Sequence, residues 1–205
     1  MITSSTLFGH DVEDPDAPLE DPEALLDAWL PQPVDELRPL MALTTLDEDG
    51  WPDTRHVLLS AHAPGALLFH TDARTRKAAH LAADPRVSLA LVWPDLGRQV
   101  TVQGEAEPTE AEAAAAVFAA RSRYLQLLAW QNDADAAALP RAARRQRWAE
   151  FAAAHPEALD APATWVGYRV TPRRITFWRG DPDGPSHRLA CARTPTGWTV
   201  TRLPG

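Results

Sequence analysis

The only lysine among the 205 residues, Lys77, stands directly after Arg76 in the run TDARTRK at 71–77, and arginine supplies the other 19 basic side chains. Thr71 and Thr75 precede that pair, and TRKAAHLAA at 75–83 is composed for a helix that Asp84-Pro85 would stop. The start of a helix presents unpaired N–H groups, and two hydroxyls and two cations beside it make an anion site, above all for phosphate. Arg55, on a neighbouring β-type run, is placed to converge on the same spot. The residues by themselves also allow a plainer reading, a helix start with two solvated cations.

The elements that must position these residues follow from local patterns. Residues 1 to about 20 are rich in Asp, Glu and Pro and read as an acidic, mobile arm, with 21–205 as a single domain. DPEALLDAWL at 21–30 combines an Asp cap, a Pro at the first helical position and an apolar stripe, which predicts a short helix. MALTTLDEDGWPDTRHVLLSA predicts two strands around a D-E-D-G turn, and ALLFHT, RVSLALVW and RQVTVQGEAE predict three more. TEAEAAAAVFAARSRYLQLLAW predicts one Ala-rich helix, opened by a capping box between Thr109 and Glu112. RAARRQRWAEFAAAH predicts another, with Arg141, Arg144, Arg145 and Arg147 on a solvated face. WVGYRVTPRRITFWRG reads as strand–turn–strand, and HRLACART with GWTVTRL as a closing hairpin. The fold class is therefore mainly β with inserted helices (α+β), a closed or partly closed barrel.

Composition narrows the function. A net charge of −8 and a pI near 5.3 argue against nucleic acid or an anionic membrane as the main partner. No apolar run reaches the roughly 20 residues that span a bilayer, and the acidic N-terminus lacks signal-peptide order, so a cytoplasmic location is expected. The single cysteine, Cys191, excludes an internal disulfide and reads as a small buried hydrophobe. His56, His62, His70 and His80 lack zinc-motif spacing, so no metal is expected, and Asp133 and Asp135 read as solvated loop carboxylates.

The segments RHVLLS at 55–60, FHTDARTRKAAHL, PRVSLALVW and RQVTVQG resemble, in order, the core of the pyridoxamine 5'-phosphate oxidase family. ITFWRGDPDGPSHRLACAR and GWTVTRLPG are similar to that family's C-terminal dimerisation region, here about 163–205. The resemblance implies an FMN-binding split β-barrel. Arg55, Thr71, Thr75, Arg76 and Lys77 would then hold the 5'-phosphate, and backbone around Val57 and Leu58 would line the ring. Gln99 would present its amide to the polar ring edge. Ser60 and His70 also fall on cofactor positions. Trp178 and Arg188 match positions that reach FMN from the other subunit, which implies a homodimer with shared sites; read alone, they are a core aromatic and a strand-surface cation.

The departures bear on substrate. Ser60 stands where the family has Lys, and His70 where it has Tyr. The substrate-phosphate positions fall on Val117, Arg121 and Leu125, where Tyr, Arg and Ser are expected. A substrate-clamping R-x-H falls on Gly184-Pro185-Ser186, and a Gln-Ser pair falls on Ala134-Asp135, with Gln131 and Asn132 close by. A dianionic phosphate needs compensating cations, so tight binding of pyridoxine phosphates should be lost. The expected function is an FMN-dependent oxidoreductase that moves a hydride between flavin and a small organic substrate, aromatic ones included. Ser60, His70, Arg121, Ser186 and His187 are its substrate-side candidates, and no catalytic acid or base is singled out. The related phenazine-biosynthesis oxidases share the C-terminal region and take larger aromatic substrates. A non-catalytic holder of FMN, a deazaflavin or haem is the alternative, and true pyridoxamine phosphate oxidation through compensating residues a third.

Overall fold

The computed structural model describes residues 21–30, 39–63 and 65–204; the acidic arm expected at 1–20 lies outside them. Helix α1 (Pro22–Trp29) starts as its sequence dictates, with the Asp21 carboxylate accepting from the N–H groups of Glu23 and Ala24 at 2.9 and 3.1 Å. Strands β1 (Leu40–Leu46) and β2 (Pro52–Leu58) form the expected hairpin, in register from Leu40↔Leu58 to Leu46↔Pro52. Its turn needs Gly50, which sits at φ +82°. A short strand not foreseen, β3 (Ala61–Ala63), leads into β4 (Ala66–Asp72). Then come α2 (Arg76–Ala83), β5 (Arg86–Trp93) and β6 (Arg98–Pro108).

The expected helix at 109–130 is broken. It forms α3 (Ala111–Ala119) and α4 (Arg123–Gln131), followed by the short α5 (Ala134–Ala138). The capping box does not form, because the Thr109 N–H donates to the Gly167 carbonyl at 2.9 Å and its buried hydroxyl has no hydrogen-bond partner among the described residues. Glu110 takes the cap position instead. Helix α6 (Arg141–Ala154) matches its prediction, with Arg141, Arg144 and Arg145 exposed. Arg147 departs from the solvated face, for it pairs with the Asp133 carboxylate at 2.9 Å. Asp133, also the cap of α5, is thus a structural carboxylate.

TPRR does not turn. β7 (Trp165–Arg179) runs unbroken for 15 residues, followed by β8 (His187–Thr194) and β9 (Gly197–Pro204). One edge of β7 pairs with β6 from Tyr168 to Arg179, with one register shift. Its other edge is shared: Trp165–Val170 pairs with β4, and Arg174–Arg179 pairs with β8. The antiparallel sheet, ordered β2-β1-β5-β6-β7-β4-β3, therefore forks along β7, and β8–β9 form the second limb. Pro172, without an N–H, sits where the β6–β7 register shifts between Gln103 and Gly104. A backbone bond from Leu59 N to Pro39 O extends the β1–β2 ladder, and one from Ser60 N to Leu68 O ties the end of β2 to β4, both at 2.9 Å. Leu43, Leu67, Phe69, Leu89, Val102, Val170 and Ile175 fill the sheet's concave side, and Cys191 is fully buried as expected.

Gly104 is fixed by this fork. A Cβ there would lie 2.2 Å from the Thr171 carbonyl oxygen, a backbone atom that cannot swing aside. Gly104→Ala is expected to destabilise the fold by about 1–3 kcal/mol. Thermal unfolding checks this; an unchanged Tm would show that the β6–β7 crossing is looser than this contact implies.

Candidate functional site

The cation cluster foreseen around Lys77 forms, and strand alternation explains how. Arg55 lies directly opposite Leu43 across the β1–β2 ladder, so it points to the concave side. There its guanidinium donates to the Leu43 carbonyl at 3.2 Å and to Thr45 Oγ1 at 2.8 Å. The same hydroxyl lies 2.9 Å from His80 Nδ1, so one hydrogen bond links β1 to α2 beside the Arg55 guanidinium. Thr71, at the end of β4, accepts from Lys77 Nζ at 3.1 Å and lies 3.4 Å from the Thr75 hydroxyl, which donates to the Asp72 carbonyl. That bond turns Thr75 away from capping, so its side chain makes no cap hydrogen bond to the N-terminus of α2.

Three basic groups, on Arg55, Arg76 and Lys77, thus surround this helix start. Asp53 faces them at 2.6 Å from Arg55 and 3.5 Å from Arg76, and both Asp72 and Asp53 act on the Lys77 charge. The nearby Asp72 is engaged by Arg74 and by the Thr164 hydroxyl. Burial, and after it the like charge of Arg55, push the Lys77 ammonium below its usual range. An anion would reverse that cost, and the chemistry of the donors suits a phosphate.

A second group forms on the other face of the sheet. Gln99 is directly opposite Trp178, and Trp178 is directly opposite Arg188, so the three make one row across β6, β7 and β8. Val100 and Val102 alternate with Gln99 and belong to the core, which puts the row on the convex side. β1 and β5 separate it from β2. The cradle and the row therefore lie on opposite faces of one chain.

The third group holds two substrate-side candidates. His70 follows Phe69 of the core and precedes Thr71 of the cradle, so its side chain takes the convex face, where it stacks on Trp165 with 5.4 Å between centroids. Arg121 lies 4.6 Å over the same Trp165 ring. Burial, and then the charge of Arg121, lower the His70 pKa to about 4. Gly167, opposite His70 on β7, leaves the room: a Cβ there would fall 2.4 Å from Thr109 Oγ1 and 2.7 Å from His70 Nε2. Ser60 is buried at the β2–β3 junction, and Val57 and Leu58 end β2. Ser186 precedes β8, and the exposed His187 ring is 4.0 Å from the Asp181 carboxylate. Val117 and Leu125 are half-buried on α3 and α4. A cavity of about 260 Å³ lined by Thr44, Ser88, Gln103, Arg86 and Arg173, among others, holds none of the expected site residues.

Sequence reasoning missed Asp53, Thr45 and His80. Asp53 was findable, since two residues before Arg55 on a strand means the same face. Thr45 required the hairpin register, and His80 the docking of α2 on β1.

Residues 32–155 match the family model described as pyridoxamine 5'-phosphate oxidase, and residues 165–204 match the pyridoxine 5'-phosphate oxidase C-terminal dimerisation region. The chain belongs to the pyridoxamine 5'-phosphate oxidase family. Family relatives named pyridoxine/pyridoxamine 5'-phosphate oxidase include one from Sphingopyxis alaskensis, 38% identical over 88% of this chain and 85% of its own length. Another, from Nocardioides sp., is 36% identical over 89% and 87%. Among solved structures, PhzG from Burkholderia lata, in complex with tetrahydrophenazine-1-carboxylic acid, superposes with a TM-score of 0.82 at 29% identity, covering 95% of this chain and 98% of PhzG. An FMN-binding protein from Nostoc punctiforme, 17% identical with a TM-score of 0.66, shares the fold. Membership makes the fold a split barrel within an oxidoreductase family. No helix among the described residues is long and apolar enough to cross a membrane.

Proposed function

We infer that this protein is a flavin-dependent oxidoreductase that holds FMN at a site built by two copies of the chain. The observation that carries this reading is the cradle: a helix start without a Thr75 side-chain cap, with Arg55, Arg76, Lys77 and the Thr71 and Thr75 hydroxyls around it. These side chains would hold the 5'-phosphate. Backbone at Val57 and Leu58 would flank the ring, and Gln99, Trp178 and Arg188 of the second copy would complete the pocket. The split between concave cradle and convex row supports a second copy, as does the matched dimerisation region. When bound, FMN supplies the hydride-accepting and hydride-donating chemistry. The chain's own part is to bind the phosphate, orient the ring and shape the space for substrate.

That space suits something other than a pyridoxine phosphate. Of the three positions that would meet a substrate phosphate, Val117 and Leu125 are apolar, and the R-x-H clamp is replaced by Gly184-Pro185-Ser186. Arg121 leaves a single cation, fitting an aromatic carboxylic acid better than a dianion. The likeness to PhzG, bound to such an acid, supports this class. Oxidation of pyridoxamine phosphate is the second reading, favoured by the relatives at 38% identity. The purified protein, after addition of FMN and gel filtration, is expected to be yellow and to oxidise pyridoxamine 5'-phosphate poorly. Failure to retain FMN would overturn the flavin reading, and rapid oxidation of pyridoxamine phosphate would overturn the substrate reading.

A further inference from the structure

The cradle contains a charge that a phosphate site does not need. Asp53 sits two residues before Arg55 on β2, directly opposite Thr45, and so shares the concave face. Its Oδ2 lies 2.6 Å from Arg55 Nη2 and 3.5 Å from Arg76 Nη2, and its field also reaches Lys77. One carboxylate oxygen thus touches two of the three cations that would grip the ligand. The β1–β2 ladder is made by backbone and does not require this side chain.

We propose that Asp53 is a built-in counterion of the cradle, a carboxylate that occupies Arg55 and Arg76 in the empty site and weakens the hold on a phosphate monoester. This rests on the reading of the cradle as the FMN phosphate site. A phosphate at these cations either displaces Asp53 into solvent, breaking two ion pairs, or binds beside it against like-charge repulsion. Both routes raise the dissociation constant for phosphate-bearing flavin and leave the ring's own interactions untouched. Asp53 therefore sets how much the cradle gains from the phosphate, a specificity-determining role at the cofactor's charged end.

Asn is nearly isosteric with Asp, and the Leu43 carbonyl and Thr45 Oγ1 hold Arg55, so Asp53→Asn removes the charge while keeping Arg55 oriented. FMN and riboflavin differ only by the phosphate. Their dissociation constants, measured by flavin fluorescence on cofactor-stripped protein, are expected to separate: Asp53→Asn tightens FMN about five- to tenfold and leaves riboflavin unchanged. Asp53→Ser should move in the same direction, which guards against an effect peculiar to Asn. FMN binding that is unchanged or weaker in both variants overturns the proposal, as does equal tightening of FMN and riboflavin. Lys77→Met, measured alongside, reports on the cradle itself. If it leaves FMN binding intact, the underlying site reading fails; if it weakens FMN while the Asp53 variants do nothing, only the counterion role fails.

Discussion

Replacing Arg55 and Lys77 together by methionine is expected to give a folded protein that no longer retains FMN. Hydrogen bonds to charged groups contribute about 1.5–3 kcal/mol each, so losing two predicts FMN affinity weaker by roughly 10²- to 10⁴-fold. The fold should not suffer in parallel. Burial and Arg55 lower the Lys77 pKa, which means that the charged ammonium opposes folding when no anion is present. Sign follows from linkage. A lysine whose folded pKa lies below its unfolded value costs stability at neutral pH, and that cost fades as pH rises through the two values. Lys77→Met alone should therefore raise the Tm of the cofactor-free protein while weakening FMN. A cation held in place for structure would show the opposite, a lower Tm. Titration of FMN into each variant and thermal unfolding of the stripped proteins check both halves.

A second large effect is expected in acid. His70 is buried on Trp165 near Arg121, and its pKa falls from 6.5 to about 4. Because the folded value is depressed, the unfolded chain takes up a proton that the folded chain refuses throughout the interval between them. Stability from this group is present above pH 6.5 and is lost as pH falls towards 4. Between pH 7.5 and 4.5 the loss attributable to His70 is about 2–3 kcal/mol. His70→Phe keeps an aromatic ring on Trp165 and removes the titration. Guanidinium unfolding of both proteins at the two pH values isolates the term, since the other ionisable groups are shared. Equal acid losses in the two would show that His70 takes up its proton without opposition.

What the sequence made legible was local. The Asp21 cap, the D-E-D-G hairpin and the helix start at Thr75 each carry their signal within a few residues, and all three form. The cradle was readable for the same reason, since Thr71 to Lys77 is one continuous run. The errors arose where a distant partner decided. The capping box at Thr109 is spelled correctly but loses to Gly167, 58 residues away in sequence, which claims the Thr109 N–H. Pro172 reads as a turn until β6 is seen alongside it, where it marks a register shift inside one long strand. His70 and Thr71 are neighbours in the chain and look like one site. Strand alternation sends them to opposite faces, His70 to Trp165 and Thr71 to Lys77. The same alternation divides the whole expected cofactor set into a concave and a convex part. A motif match puts residues in order along the chain but says nothing of the face each one takes.

That division is the centre of the account, and subunit mixing tests it most directly. One variant would carry Arg55→Met and Lys77→Met, damaging the cradle; the other would carry Gln99→Leu and Arg188→Met, damaging the row. Each alone is expected to bind FMN poorly. If cradle and row come from different copies, a mixed dimer has one site with both defects and one with none. Unfolding the two variants together and refolding them should then restore wild-type FMN affinity to about a quarter of all sites, the share set by random pairing in a two-fold dimer. No recovery on mixing, with mixed dimers confirmed by native mass spectrometry, would place both halves of the site in one chain and contradict the account.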